Sequence, residues 1–234
     1  VQSMLCLVED YVFNDINTNA NQQVHAAVDN IFGEVTWFYC SSGSSYVDRS
    51  VTYNYLESTA EMPIWYTSSL DRTTWVQQGV YSNPYATEYE TSEIPTAPSV
   101  GGATAGASYF WQHNIGTDEV KATGATTAVQ GFVESGDYDI SGEGLQGQGE
   151  LMMRISRVIP DFGEQTGDAK VYLNAKAFPT STAVSTSYNS TTSTTQIWTR
   201  KRARQIALKV GNISTGQSWR MGTFRLDINA GGRR

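Results

Sequence analysis

Three carboxylates crowd into one short segment, Glu134, Asp137 and Asp139 of ESGDYD. A pair of such groups flanking a glycosidic bond is the equipment of a glycosidase. Spacing along the chain does not set their separation in space, and solvated acids at a strand end are the commoner arrangement. The same stretch, DYDISGEGLQGQGE, partly matches a calcium loop, with Asp137, Asp139, Ser141 and Gly142 at the first, third, fifth and sixth places. Gln148 stands at the twelfth place where a bidentate Glu belongs, Gly144 replaces an apolar residue, and no helices flank the loop, so the match argues against calcium.

Other candidate chemistry is thinner. SLDRTTW, residues 69–75, resembles the Asp-box of sialidase propellers, but its acid-to-Trp spacing is short and it lacks Gly. No Gly-rich phosphate loop, GxSxG elbow or Ser/His/Asp arrangement occurs. Two His speak against a His-rich metal centre, and His25 reads as a packed or solvent-facing side chain. Cys6 and Cys40 are too few for a disulfide framework and read as two small buried thiols. The sequons at Asn189 and Asn212 are what chance supplies in a Ser/Thr-rich chain. No cofactor is expected.

Charge is more informative. Residues 200–234 hold nine basic side chains and one acid, Asp227, a balance of +8, while the rest holds seven basic and 22 acidic, a balance of −15. A basic terminal segment calls for an anionic partner, either nucleic acid or the acidic face of a neighbouring subunit, unless these arginines pair with acids of their own chain. In RKRARQIALKV, read as one strand, Arg200, Arg202 and Arg204 share a face with Ile206, Leu208 and Val210, so that one end lies in the core and the other projects toward a partner.

The elements that must position these groups are predominantly strands. Thirteen Tyr, 8 Phe, 6 Trp and 21 Gly, with abundant Ser and Thr, predict an all-β chain of short antiparallel strands. The chain begins VQSMLCLVEDYVF, strand-like and without an initiator Met, and is expected to be a piece of a longer polypeptide or a processed product. It reads as soluble, with no run near the roughly 20 apolar residues of a membrane span.

Residues 21–31 place Val24, Ala27, Val28 and Ile31 at helical spacing, predicting one short helix with Asn19 or Asn21 as cap. EVTWFYC alternates Val35, Trp37 and Tyr39 with Thr36, Phe38 and Cys40; a Ser-rich turn and RSVTYNY follow, predicting a hairpin extended by IWYTS and TWVQQGVY. Four such strands make a propeller blade, and a β-sandwich would give the same local pattern. The aromatic strands read as packing and subunit-contact surface ahead of a sugar- or base-stacking platform. The organisation expected is a blade region over 1–90, a Pro/Ser/Ala/Thr linker over 91–104, a second strand-rich region over 105–179, a Ser/Thr-rich loop over 180–195, and basic carboxy-terminal strands over 196–234.

Three blocks carry a family resemblance. EVTWFYCSSGSSYVDRSVTYNYLES with RTTWVQQGVYSNPYAT, then GFVESGDYDI with RISRVIPDFGEQTGDAKVYLNAKAFP, then RKRARQIALKVGNISTGQSWRMGTFRLDINAGGRR, together resemble the tail nozzle or packaged-DNA-stabilising (tail tubular) proteins of short-tailed bacteriophages. The blocks occur in family order over most of residues 30–234. The departures are length, since such proteins are longer, and an interrupted strand around Ala60 to Pro63.

The resemblance implies part of a β-propeller with an additional β-rich carboxy-terminal region, in a structural virion protein rather than an enzyme. It implies a homohexameric ring below the portal and its adaptor, assembled in the host cytoplasm, with double-stranded DNA passing through the lumen without sequence-specific binding. An acidic body suits such a conduit, because a basic lumen would bind phosphates. Arg200, Arg202, Arg204, Arg220 and Arg225 are the expected subunit or adaptor contacts. The rival expectations are a propeller glycosidase or depolymerase, and a carbohydrate-binding module of a tail fibre.

Overall fold

The computed structural model describes residues 5–6, 8–88, 109–121, 124–140 and 151–231. The chain is all-β with antiparallel sheets. It divides into two compact units, Val1–Ile115 and Gly116–Arg234. Among the described residues no helix is long and apolar enough to cross a membrane, which says nothing of membrane strands. The segment 91–104, expected as a linker, lies outside the described residues.

The first unit is built on a four-stranded meander of β1 (His25–Asp29), β2 (Glu34–Tyr39), β3 (Arg49–Asn54) and β4 (Ile64–Ser68). The expected β2–β3 hairpin is present, with Trp37 opposite Val51 and Phe38 opposite Ser50. Its turn is held by Asp48, which accepts from the Ser41 N–H and hydroxyl, each at 2.7 Å. Alternation sends Phe38 and Cys40 into a core with Ala20, Ala27 and Val47, against which Leu70 and Trp75 pack. His25 stacks on Phe38, ring centroids 5.0 Å apart. The opposite face turns Trp37, Tyr39, Val51 and Trp65 toward α1 (Glu9–Asp15) around an apolar cavity of about 260 Å³. Cys40 is buried as expected and its thiol is pushed up by burial, whereas Cys6 is only half-buried.

Several local expectations are corrected. The predicted helix over 21–31 is instead a 3₁₀ turn, Thr18–Gln23, followed by β1, with Asn17 as the capping side chain. The run HAAVD is too short to hold a helix by itself, and pairing with all of Glu34–Phe38 satisfies the backbone groups that face β2. Conversely, the strand-like opening contains the helix α1. TWVQQGVY supplies only β5 (Thr74–Val76), which leaves the meander to pair with β6 (Tyr85–Thr87), itself paired with β7 (Phe110–Gln112), in a separate three-stranded sheet. The four-strand unit is therefore completed by β1 and not by β5.

In the second unit, β8 (Asp118–Val120) and β9 (Thr126–Ala128) form a hairpin, and the rest is two layers over one core. One layer contains β10 (Phe132–Glu134), β16 (Gln205–Gly211), β13 (Ala169–Lys176) and β14 (Val184–Ser190), in that order. The other contains β15 (Ile197–Ala203), β11 (Met153–Ile159) and β18 (Arg225–Ala230), while β12 (Phe162–Thr166) pairs with β17 (Ser218–Met221). Met153, Ile155, Val158, Ile197 and Ala203 from one layer meet Val171, Leu173, Ala175, Ile206 and Val210 from the other.

The Ser/Thr-rich stretch 180–195, expected as a loop, contains β14, paired with β13 from Ala169↔Ser190 to Ala175↔Val184. β-Branched Thr and small Ser suit an edge strand with one wetted face, and Tyr188 packs on the core. RKRARQIALKV is not one strand. The chain bends at Arg204, whose N–H donates to the Lys176 carbonyl at 3.1 Å, and passes from β15 in one layer to β16 in the other. The corner removes Arg204 from the face of Arg200 and Arg202.

Candidate functional site

The outer face of the β15–β11–β18 sheet collects the arginines. In β11 the alternation buries Met153, Ile155 and Val158 and turns Arg154 outward, with a bulge at Ser156 that brings Arg157 outward as well. In β15, Ile197, Thr199 and Ala203 are buried while Trp198, Arg200 and Arg202 are exposed. The buried Thr199 hydroxyl donates to the Ile155 carbonyl at 3.1 Å, tying the two strands together beneath this face. Register sets Arg154 between Arg202 and Asn229, and Arg157 between Trp198 and Asp227.

These pairings create two zones. In the first, Arg157 is neutralised: its Nε and Nη2 lie 2.7 and 2.6 Å from Asp227 Oδ2, its Nη1 donates to Gln196 Oε1 at 3.1 Å, and its guanidinium lies 5.5 Å from the Trp198 ring centroid. In the second, Arg154, Arg200 and Arg202 have no carboxylate within ion-pair distance among the described residues; Arg202 Nη2 donates to the Gly231 carbonyl at 2.9 Å. Like charges set directly across a strand pair are mutually destabilising. Two open grooves of about 520 and 500 Å³ share Arg154 and Arg200; the first adds Tyr188 and Trp198, the second Arg202 and Asn229. Guanidinium forks on a sheet whose other face is a packed core are suited to gripping carboxylate or phosphate oxygens.

Of the five arginines expected as contacts, Arg200 and Arg202 are thus brought together. Arg204 sits at the corner with its guanidinium 5.4 Å from the Phe178 ring centroid. Arg220 is exposed on β17 opposite Glu164 in the separate two-stranded sheet. Arg225 opens β18 opposite Ile159, beyond the Arg157–Asp227 pair. Arg154, Arg157 and Trp198 were missed, although the alternation in ELMMRISRVI already sets Arg154 apart from Met153 and Ile155.

Two of the three acids that suggested a glycosidase are held by lysines: Glu134 lies 3.8 Å from Lys209 Nζ and accepts from Asn174, and Asp137 pairs with Lys176. The calcium-like segment leaves the described residues at 141, and among those described no group of three or more His, Cys, Asp or Glu is arranged to hold a metal. The Asp-box-like segment has another role, because Arg72 at its centre is buried in the first unit. Arg72 Nη1 lies 3.1 Å from Glu88 Oε2 and 3.0 Å from Asp71 Oδ1, and its Nε donates to His113 Nε2 at 3.1 Å. Trp111 Nε1 donates to the same Glu88 oxygen at 2.6 Å. Burial, and then the Arg72 charge, pull the His113 imidazole down to about 4.

Comparison with known proteins finds no family model and no curated protein that matches this sequence.

Proposed function

We propose that this chain is a structural subunit of a virion, belonging to the tail nozzle of a short-tailed bacteriophage and contributing to the channel that retains and then ejects the genome. The three sequence blocks that resemble the nozzle family support this reading, and so does the β-rich architecture. The observation that carries it is the arginine face: Arg154, Arg200 and Arg202 stand exposed, opposed by no acid among the described residues, on a sheet anchored from behind by a packed core. Leaving like charges side by side is costly in isolation and becomes favourable when an acidic protein surface covers them. The face is read as the contact to a neighbouring subunit or adaptor in a six-membered ring, with the acidic remainder of the chain toward the DNA path.

Light scattering on the chain at near-physiological salt tests this. Six-fold particles are expected for the wild type, and monomers with unchanged circular dichroism for Arg154→Glu/Arg200→Glu/Arg202→Glu. A folded triple variant that still forms the same particles would remove the arginine face from assembly. A monomeric wild type that gains mass neither with adaptor nor at high concentration would overturn the nozzle reading.

A further inference from the structure

The charge asymmetry seen along the sequence also divides the two compact units. Val1–Ile115 holds two basic and twelve acidic side chains, a balance of −10, whereas Gly116–Arg234 holds fourteen basic and eleven acidic, a balance of +3. The first unit therefore supplies, on every copy, the kind of acidic surface that the arginine face of the second unit lacks among the described residues.

One place on the first unit is built to match it. At one end of the meander the β1–β2 turn and the 55–63 loop lie side by side: the Tyr55 N–H donates to the Gly33 carbonyl at 2.7 Å and Asn54 Nδ2 to the Phe32 carbonyl at 3.3 Å. The loop is internally fixed. Asn54 Oδ1 accepts from the N–H groups of Leu56 and Glu57 at 3.1 and 2.8 Å, the Met62 N–H donates to Thr59 Oγ1 at 3.0 Å, and the Ile64 N–H donates to Ser58 Oγ at 2.8 Å. Gly33, at φ +67°, leaves no room for a Cβ, because Leu56 Cγ occupies that place. On this fixed frame Phe32, Leu56 and Met62 are 51, 64 and 72% exposed, and Glu57 and Glu61 are exposed beside them. Apolar side chains presented on an ordered backbone lose little entropy on burial, which is how a contact surface differs from a solvated loop.

The arginine face shows the complementary pattern, with Trp198 67% exposed next to Arg154 and Arg200. We propose that the 55–63 loop of one copy docks on the arginine face of a second copy, Leu56 and Met62 against Trp198, and Glu57 and Glu61 on Arg200 and Arg202. The contact joins two different patches, so it is head-to-tail, and repetition closes into a ring or runs on as a filament. It rests on the reading of the chain as a ring subunit and names the acidic partner that this reading left open. A nucleic-acid strand would meet the same guanidinium groups through phosphates, but it would not account for the acid-rimmed apolar loop carried by the same chain.

The experiment compares self-association of the full chain with Glu57→Lys/Glu61→Lys, with Arg200→Glu/Arg202→Glu, and with the variant carrying all four changes, by light scattering at low salt. Each double variant is expected to weaken association at least about a hundredfold, and the fourfold variant to recover to within about tenfold of wild type, because the charges are exchanged and not lost. Glu57→Gln/Glu61→Gln, which adds no repulsion, is expected to weaken it about tenfold. If Glu57→Lys/Glu61→Lys assembles as wild type while the arginine variant does not, the loop is not the partner, and the arginine face still serves another acidic surface. If both assemble normally and the arginine variant alone loses binding to a short single-stranded DNA, the face belongs to nucleic acid and the docking is overturned. A wild type that stays monomeric to about 0.1 mM, where even weak contacts fill, overturns it as well.

Discussion

Arginine is used in two opposite ways in this chain. Arg72 of the first unit is buried, its side chain 8% exposed beside a Glu88 side chain at 4%, and it donates hydrogen bonds to Asp71, Glu88 and His113 around it. Arg154, Arg200 and Arg202 of the second unit stand in solvent on a sheet face where register sets two of them directly opposite each other. A buried charge must be neutralised within its own fold, since desolvation would otherwise destabilise it. Exposed charges can remain unneutralised, and a surface that leaves them so is available to something else. Polar completeness thus separates an arginine that holds a fold together from one that serves recognition.

The contrast has measurable consequences, the largest at Arg72. Arg72→Ala leaves Glu88 buried without its cation and is expected to destabilise the chain by about 3–5 kcal/mol in urea unfolding; a loss below about 1 kcal/mol would place Arg72 with the exposed arginines. A pH titration probes the same cluster. The folded imidazole of His113 stays neutral down to about 4, while an unfolded His takes up its proton near 6.5, so stability present above that value is lost as pH falls between the two. After allowance for partial solvent screening the loss is about 2 kcal/mol, and His113→Gln is expected to flatten this part of the pH profile. An unchanged profile would mean that the imidazole does not titrate against Arg72. The smallest effects belong to the arginine face, where the two zones should differ in sign. Arg157→Gln, which breaks a half-exposed pair with Asp227, is expected to cost about 0.5–1 kcal/mol. Arg154→Gln relieves repulsion across the strands and is expected to stabilise by a few tenths of a kcal/mol at low salt. If Arg154→Gln destabilised as much as Arg157→Gln, the distinction between zones would fail.

The β2–β3 hairpin was legible because its signal is local: strict alternation and a Ser-rich turn mark two strands and set Phe38 and Cys40 on one face, while the structure decides the register and that this face meets the core. β1 was not legible, because His25–Asp29 has no conformation of its own and takes that of the strand it pairs with. The arginine site was half visible. Alternation in IWTRKRA marks Arg200 and Arg202 as one face, and it would have marked Arg154 between Met153 and Ile155. The pairing of β15 with β11, which sets Arg154 against Arg202, joins residues far apart in the chain. The bend at Arg204 was likewise invisible, since the strand pattern continues on both sides and only the packing of two layers over one core requires the chain to change sheets there.

By itself, then, the sequence determined that the chain is all-β and that its basic side chains gather toward the carboxy terminus, because side-chain period and net charge are properties of composition and order. Only the tertiary structure decided which arginines are neighbours, which have an acid beside them, and which acidic apolar loop stands ordered on the other unit. Those are questions of register and burial, set by which strands find each other across long stretches of chain.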